Sequence, residues 1–207
     1  MNNPNHDSAE SARLYQTAIA TLQQLLDEAR ASEELEPTAM SLATADASGR
    51  VSSRIVLLKS VAADGIRFFS NYHSAKAGQL AAHPQAALGI HWKLLRDQVQ
   101  VRIEGRVEKL SAVESDAYFS TRPRTSQIGA WASLQSETLP DRAAFDARMR
   151  EVELRFAGIE VSRPPHWGGY LLRPDMFEFW YAAKFRLHER VRYELIDGSW
   201  QTRLLFP

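Results

Sequence analysis

The sequence predicts an α+β fold built around an antiparallel β-barrel with flanking helices. Two observations predict it. Short apolar and β-branched runs recur between turn signals along most of the chain, and the longer helical patterns lie at the start and in an excursion between strands. No internal repeat, low-complexity segment or long linker divides the chain. Residues 1–11 are expected to form a disordered N-terminal tail and residues 12–207 one domain.

Ala12 to Ala31 places Leu14, Ala18, Leu22, Leu25, Leu26 and Ala29 at helical spacing, which predicts an amphipathic helix. Thr38–Ala45 and Val51–Lys59, joined by Asp46-Ala47-Ser48-Gly49-Arg50, read as a hairpin with a glycine turn. Ala63-Asp64-Gly65 turns into the strand Ile66–Ser70, and Ser74–His83 reads as a short helix stopped by Pro84. Strands follow at Ala86–Trp92 and Val99–Leu110. Ala112–Thr121 and Asp141–Phe156 read as helices, the second with Phe145, Met149, Val152 and Phe156 inward. Trp167–Leu172, Met176–Trp180, Arg186–Leu195 and Trp200–Leu205 complete the sheet.

Composition narrows the function. With 207 residues, 44% hydrophobic and 24% charged, the chain can bury a real core. A net charge of zero gives no long-range pull toward nucleic acid or an anionic membrane, so neither partner is expected. There is no cysteine, which excludes disulfides, thiolate metal sites and cysteine nucleophiles. The six histidines are scattered without ligand spacing, so no metal site is expected. No apolar run approaches the roughly 20 residues that span a bilayer. The polar start lacks signal-peptide features, and a cytoplasmic protein is the expectation. Neither a dinucleotide fingerprint, a phosphate loop of the G-x-x-x-x-G-K type, nor a G-x-S-x-G elbow occurs.

Cations recur near the C-terminus. In Phe177–Arg190, Arg186, His188 and Arg190 occupy every second position, and on a regular strand they share one face. Clustered cations repel unless an anion neutralises them, which points to an anionic ligand such as a phosphate; taken alone, the motif is better explained by a solvated basic face. The run Arg122-Pro123-Arg124-Thr125-Ser126-Gln127-Ile128-Gly129-Ala130-Trp131 reads as a tight loop whose two guanidiniums, two hydroxyls and amide suit phosphate. It also fits a capping segment in which Thr125 or Ser126 starts a helix. Arg54 and Lys59 bracket Ile55-Val56-Leu57-Leu58. Their spacing puts them on opposite strand faces, so they reach one ligand only across a bend, an edge or a subunit interface.

Taken in order, Arg54-Ile55-Val56-Leu57-Leu58-Lys59, Gln100–Gly105, Ser126-Gln127-Ile128-Gly129-Ala130-Trp131, Gln135-Ser136, Trp167-Gly168-Gly169, and Phe179-Trp180 through Arg186-Leu187-His188-Glu189-Arg190 resemble the pyridoxine/pyridoxamine 5′-phosphate oxidase family. The resemblance runs from about Glu36 to Pro207. It implies a Greek-key-like split β-barrel binding FMN at a homodimer interface. The implied reaction oxidises pyridoxamine or pyridoxine 5′-phosphate to pyridoxal 5′-phosphate with O2 as acceptor and H2O2 as by-product.

By the same resemblance, Arg54, Ile55, Val56, Leu57, Leu58, Lys59, Phe69, Ser70, Lys76, Gln100, Gln135, Ser136, Trp180 and Arg190 hold FMN. Lys59, Tyr118, Arg122 and Ser126 hold the substrate phosphate. Arg186, Leu187 and His188 cover its ring, with Arg186 and His188 as the catalytic pair. Gln98 competes with Gln100 for the flavin contact, and the Q-V-R-x-E-G context favours Gln100. The chain departs from the family pattern at Ala75, where an Arg is usual, at Tyr181-Ala182-Ala183 in place of a Gln-Gly-Gly type of run, and at Glu189 in place of Asp. Its N-terminal arm is also short. A related FMN oxidase of another aromatic substrate, of the phenazine-pathway type, and a non-catalytic flavin- or pyridoxal-phosphate-binding protein are the alternatives.

Overall fold

The computed structural model describes residues 4–207. Helix α1 (Pro4–Ala31) starts at Pro4, not at Ala12. Residues 4–11, expected to be disordered, are therefore helical, while 1–3 lie outside the described residues. Proline suits a first helical turn, where its missing N–H is not needed. The early turns are held by a Glu10–Arg13 contact of 3.0 Å and by Ser11 Oγ, which accepts the Trp200 N–H at 2.8 Å. Leu22, Leu25 and Leu26 are buried, as their spacing predicts.

The hairpin forms as expected from β1 (Ala39–Ala45) and β2 (Val51–Leu57). Its turn is organised by Asp46 Oδ1, which accepts from the N–H groups of Ser48 and Arg50, with Gly49 at φ +84°. A short strand β3 (Ser60–Ala62), absent from the sequence reading, precedes β4 (Gly65–Asn71) and helix α2 (Ala75–Ala82). Strands β5 (Gln85–Trp92) and β6 (Val99–Lys109) alternate strictly, burying Leu88, Ile90 and Trp92 on one and Val99, Val101 and Ile103 on the other. Each such aliphatic or aromatic side chain contributes about 1.5–3 kcal/mol on burial.

Helix α3 (Ala112–Ser120) opens with a capping box between Ser111 and Glu114. The segment read as a tight loop at 122–131 is mostly helix α4 (Arg124–Ala132). Pro123 stands at the N-cap without a side-chain cap bond, so neither Thr125 nor Ser126 starts it. Helix α5 (Arg142–Arg155) matches the expected span, but its inward residues are only partly buried, and Phe156 alone is fully so.

Strand β7 (Trp167–Tyr181) unites the two strands predicted at 167–172 and 176–180. The β6–β7 register shifts between Glu104 and Gly105, where Asp175 of β7 is the extra, unpaired residue next to Pro174, a bulge that accommodates the missing N–H of that proline. The first half of β7 pairs with β4, and its second half with β8 (Glu189–Ile196), which pairs with β9 (Ser199–Leu205). The predicted strand at 186–195 therefore starts late. Phe185 and Arg186 lie at φ 58° and 63°, a left-handed turn that cannot continue a strand, so Arg186, His188 and Arg190 do not share one strand face.

All nine strands described form one antiparallel sheet, ordered β2-β1-β5-β6-β7-β4-β3 with β8 and β9 branching from β7. Edge strand β2 also approaches β4, so the sheet curls into a half-open barrel around the larger core, with α1 packed over β9. A second, smaller core of Phe119, Ile128, Phe156, Val161 and Trp167 joins α3 and α4 to β7.

Candidate active site

An open cavity of about 950 Å³ lies between β2, β4, α2, α3, α4 and the segment after α4. Its shape follows from a break in the chain. After Leu57 the backbone leaves the β1 edge: the Leu58 N–H still donates to Thr38 O at 2.8 Å, but the Lys59 N–H donates to Arg67 O of β4 at 2.9 Å. This crossing brings Arg54 and Lys59 to the same cavity within one chain. The bend, one of the ways the sequence reading left open, does what a regular strand cannot. Ile55, Val56 and Leu57 line the cavity too, whereas Leu58 is fully buried in the core and does not.

One end holds Arg54 and Lys76. The Lys76 ammonium is buried and donates to Ser70 Oγ at 3.0 Å, Ser74 Oγ at 3.1 Å and Gln135 Oε1 at 2.8 Å. Burial, helped by the charge of Arg54, pushes its pKa down to about 8. Arg54 donates to Thr44 Oγ1 at 2.5 Å and Gln79 Oε1 at 3.0 Å, and burial lowers its pKa as well. Ser136, at φ +78°, accepts the Ala75 N–H at 3.1 Å. The backbone of Ala75 is thus fixed, but the side chain offers no donor.

The other end holds Arg122, Tyr118, Ser126 and Lys59. The Arg122 guanidinium lies 4.5 Å over the Trp167 ring, and its buried Nη1 has no hydrogen-bond partner. Burial lowers its pKa, opposed in part by Tyr118. Phe69 stacks on Tyr118 with centroids 3.9 Å apart and on Trp167 at 5.4 Å. Gly168 and Gly169 permit this wall, because a Cβ on Gly168 would collide with Tyr72 and one on Gly169 with Leu110 and Phe69. The cavity lining includes the cations Arg54, Lys59, Lys76 and Arg122 and, among the described residues, no Asp or Glu.

The remaining predicted residues gather elsewhere. Gln100 pairs with Trp180, and Trp180 with Arg190, so the three form one row across β6, β7 and β8. Gln98, at φ +103°, lies in the preceding loop with its carbonyl bound to the Ala182 N–H. Arg186 and Leu187 are exposed in the turn before β8, and the His188 ring lies 4.4 Å from that of Trp180. None of this set lines the cavity of the same chain. Beside the row, the buried Glu178 accepts from Arg102 at 3.3 Å, Arg190 at 2.6 Å and Arg192 at 2.8 Å. Burial pushes its carboxyl up, but the surrounding guanidiniums prevail and hold it below the usual range.

Sequence reasoning missed Gln79, Thr44 and Trp167 as parts of the site. Gln79 and Thr44 carry no local signal, because they meet Arg54 only through the pairing of β1 with β2 and the packing of α2. Trp167 carried one, as the residue before two glycines.

No helix among the described residues is long and apolar enough to cross a membrane. Residues 25–156 match the family model described as pyridoxamine 5′-phosphate oxidase, and residues 167–207 match the pyridoxine 5′-phosphate oxidase C-terminal dimerisation region. A pyridoxine/pyridoxamine 5′-phosphate oxidase from Xanthomonas oryzae pv. oryzae is 57% identical over 94% of this chain and 98% of its own length. One from Caulobacter vibrioides is 50% identical over 91% of this chain and 84% of its own length. PhzG from Burkholderia lata 383, solved with tetrahydrophenazine-1-carboxylic acid, superimposes with a TM-score of 0.85 at 34% identity, covering 91% of this chain and 92% of that one. An FMN-binding, pyridoxamine 5′-phosphate oxidase-related protein from Nostoc punctiforme shares the fold with a TM-score of 0.71 at 18% identity, covering 91% and 96%. With matches across both parts of its sheet, the chain belongs to the pyridoxine/pyridoxamine 5′-phosphate oxidase family and has its split-barrel fold.

Proposed function

We propose that this protein oxidises pyridoxamine 5′-phosphate and pyridoxine 5′-phosphate to pyridoxal 5′-phosphate, using FMN and O2, in the cytoplasm as a homodimer. The observation that carries the reading is the cavity lined by Arg54, Lys59, Lys76 and Arg122 with no carboxylate among its described lining residues. Four cations facing one space call for anionic groups. The orphaned Arg122 Nη1 and the Lys76 ammonium, bound only to neutral oxygens, are where such groups fit best.

The FMN phosphate suits the Arg54/Lys76 end, with Ser70, Gln135 and Ser136 supplying further polar contacts and Phe69 an aromatic wall. The substrate phosphate suits the Arg122 end with Lys59, Tyr118 and Ser126. FMN, when bound, supplies the acceptor for the hydride equivalent from the substrate 4′ carbon and the route to O2 and H2O2. The protein's part is orientation: clamping the substrate phosphate fixes where the ring and its 4′ carbon lie.

Arg186 and His188 then cover the ring and stabilise charge that develops on it. They and the Gln100–Trp180–Arg190 row do not line the cavity of their own chain, so each site is completed by a second copy. The exposed apolar residues Ile55 beside the cavity and Leu187 and Phe206 near the C-terminus are the kind of surface such an interface covers. The match to a dimerisation region over 167–207 supports this arrangement.

The test is an aerobic assay of the FMN-loaded protein with both phosphorylated substrates, following pyridoxal 5′-phosphate absorbance and peroxide together. Equal yields of both products are expected. Bound flavin without turnover of either substrate sinks the reading and favours oxidation of a different aromatic compound or ligand binding alone.

A further inference from the structure

The loop between β5 and β6 carries Arg96 (φ 46°), Asp97 (φ 61°) and Gln98 (φ 103°), consecutive residues in the left-handed region and none of them glycine. Side chains adopt this conformation rarely, and a run of it persists only where the surroundings hold it. Helix α1 and the turn that follows it do the holding. Arg96 Nε donates to Glu28 Oε2 at 2.8 Å while its Nη2 donates to Glu28 Oε1, and the Leu94 N–H donates to Glu34 Oε1 at 2.5 Å. The Gln98 N–H closes the turn on Leu95 O at 2.8 Å.

The far side of this loop reaches the segment that carries His188. Gln98 O accepts the Ala182 N–H at 3.1 Å, and the next residue, Ala183, donates its N–H to His188 Nδ1 at 3.3 Å. A backbone N–H can only donate, so Nδ1 is unprotonated and a neutral ring carries its proton on Nε2. A continuous series of contacts thus runs from Glu28 through Arg96 and the turn to the ring nitrogen of His188. Neither Glu28 nor Arg96 lines the cavity, and both side chains are partly exposed, so as an ion pair they contribute little to overall stability.

We propose that the Arg96–Glu28 pair is a positioning device for His188: it fixes the left-handed turn whose last carbonyl anchors Ala182, and so sets the orientation and the Nε2–H tautomer of the His188 ring. The inference rests on the reading above that His188 faces the substrate.

The test uses FMN-loaded Arg96→Ala, Arg96→Lys, the exchange Glu28→Arg/Arg96→Glu, and His188→Asn. Three quantities are read: the ring nitrogen NMR shifts of His188, kcat and KM for pyridoxamine 5′-phosphate, and flavin content. In Arg96→Ala the His188 nitrogen shifts move toward a mixture of tautomers. Its kcat falls between about 10- and 100-fold, the scale of a misplaced catalytic group, with flavin content and Tm little changed. The charge exchange restores the ring signals and most of the activity. Arg96→Lys keeps the charge without the two-pronged contact and falls between; if Arg96→Ala loses flavin, it is read by the same criteria.

Unchanged ring signals or unchanged kcat in Arg96→Ala, beside an impaired His188→Asn, overturns the positioning role. Full turnover by His188→Asn overturns instead the assignment of His188 on which that role rests.

Discussion

Lys76 Nζ lies 2.8 Å from Gln135 Oε1, and its other partners, Ser70 and Ser74, are equally neutral. A buried ammonium without a carboxylate is a charge awaiting an anion. Its pKa of about 8 lies below the ordinary 10.5, so between these values the unfolded chain binds more protons than the folded one. This group therefore makes folded-state stability rise with pH across that window. The apo protein with Lys76→Met should be more stable than wild type at pH 7, and the difference should vanish toward pH 10.5. FMN affinity should drop about 10- to 100-fold, as expected for losing a charge-assisted contact. Thermal unfolding of both proteins across this range checks the first point; an apo variant less stable at pH 7 would refute it.

Arg122 presents the complementary case. Its Nη1 is buried without a partner beneath an aromatic wall, a placement that makes sense for holding a phosphate oxygen. Arg122→Gln should raise KM for pyridoxamine 5′-phosphate about 10- to 100-fold, the range for one charged hydrogen-bonded contact. Flavin content should stay at the wild-type level. Unphosphorylated pyridoxamine, which lacks the anion, should be turned over as poorly by the variant as by wild type. Equal KM values for the phosphorylated substrate in the two proteins would remove Arg122 from the phosphate site.

Glu178 sits beside the Gln100–Trp180–Arg190 row and ties β6, β7 and β8 together. Its carboxylate gathers Arg102, Arg190 and Arg192, and Glu178→Gln would leave these guanidiniums facing one another. The expected loss is about 3–5 kcal/mol, the scale for breaking a buried charge pair from one side, read as a lower urea midpoint. Because the folded carboxyl is held below its ordinary value, its contribution is present above the unfolded pKa and lost as pH falls through the folded one. The destabilisation should therefore shrink below about pH 4, where the unfolded glutamate is protonated. A variant as stable as wild type at neutral pH contradicts this role.

The strands and most helices were legible because each announces itself locally, through alternation in β5 and β6 and helical spacing in α1. The errors fall where a tertiary partner overrides local pattern. Helix α4 follows Pro123, and its Gly129 and paired hydroxyls resemble a loop. The separate strands predicted around Pro174 are one because β7 bulges at Asp175, beside the proline, and keeps its pairing with β6 on either side. At the site, the cations were readable as residues wanting an anion, but their grouping was not. Nothing in the spacing of Arg54 and Lys59 reveals that the chain changes strand partner between them, and Gln79 meets Arg54 only after α2 packs on β1.

The separation of the cavity from the Gln100–Trp180–Arg190 row yields the most direct test of the dimer. If each site takes its cavity from one chain and its row from the other, an Arg122→Ala chain and an Arg186→Ala/His188→Ala chain are each defective as homodimers. Refolded together in equal amounts, half the dimers are mixed by random pairing. In each mixed dimer one site carries both defects and the other carries none. Activity should therefore recover to about one quarter of wild type, as follows from two-fold symmetry with shared sites. A site built wholly from one chain allows no recovery, because every cavity would then be paired with its own defect. Refolding the variants separately and mixing them afterwards, under conditions where subunits do not exchange, supplies the control and should stay inactive. Recovery near one quarter after co-refolding alone would establish that the two halves of the site come from different chains.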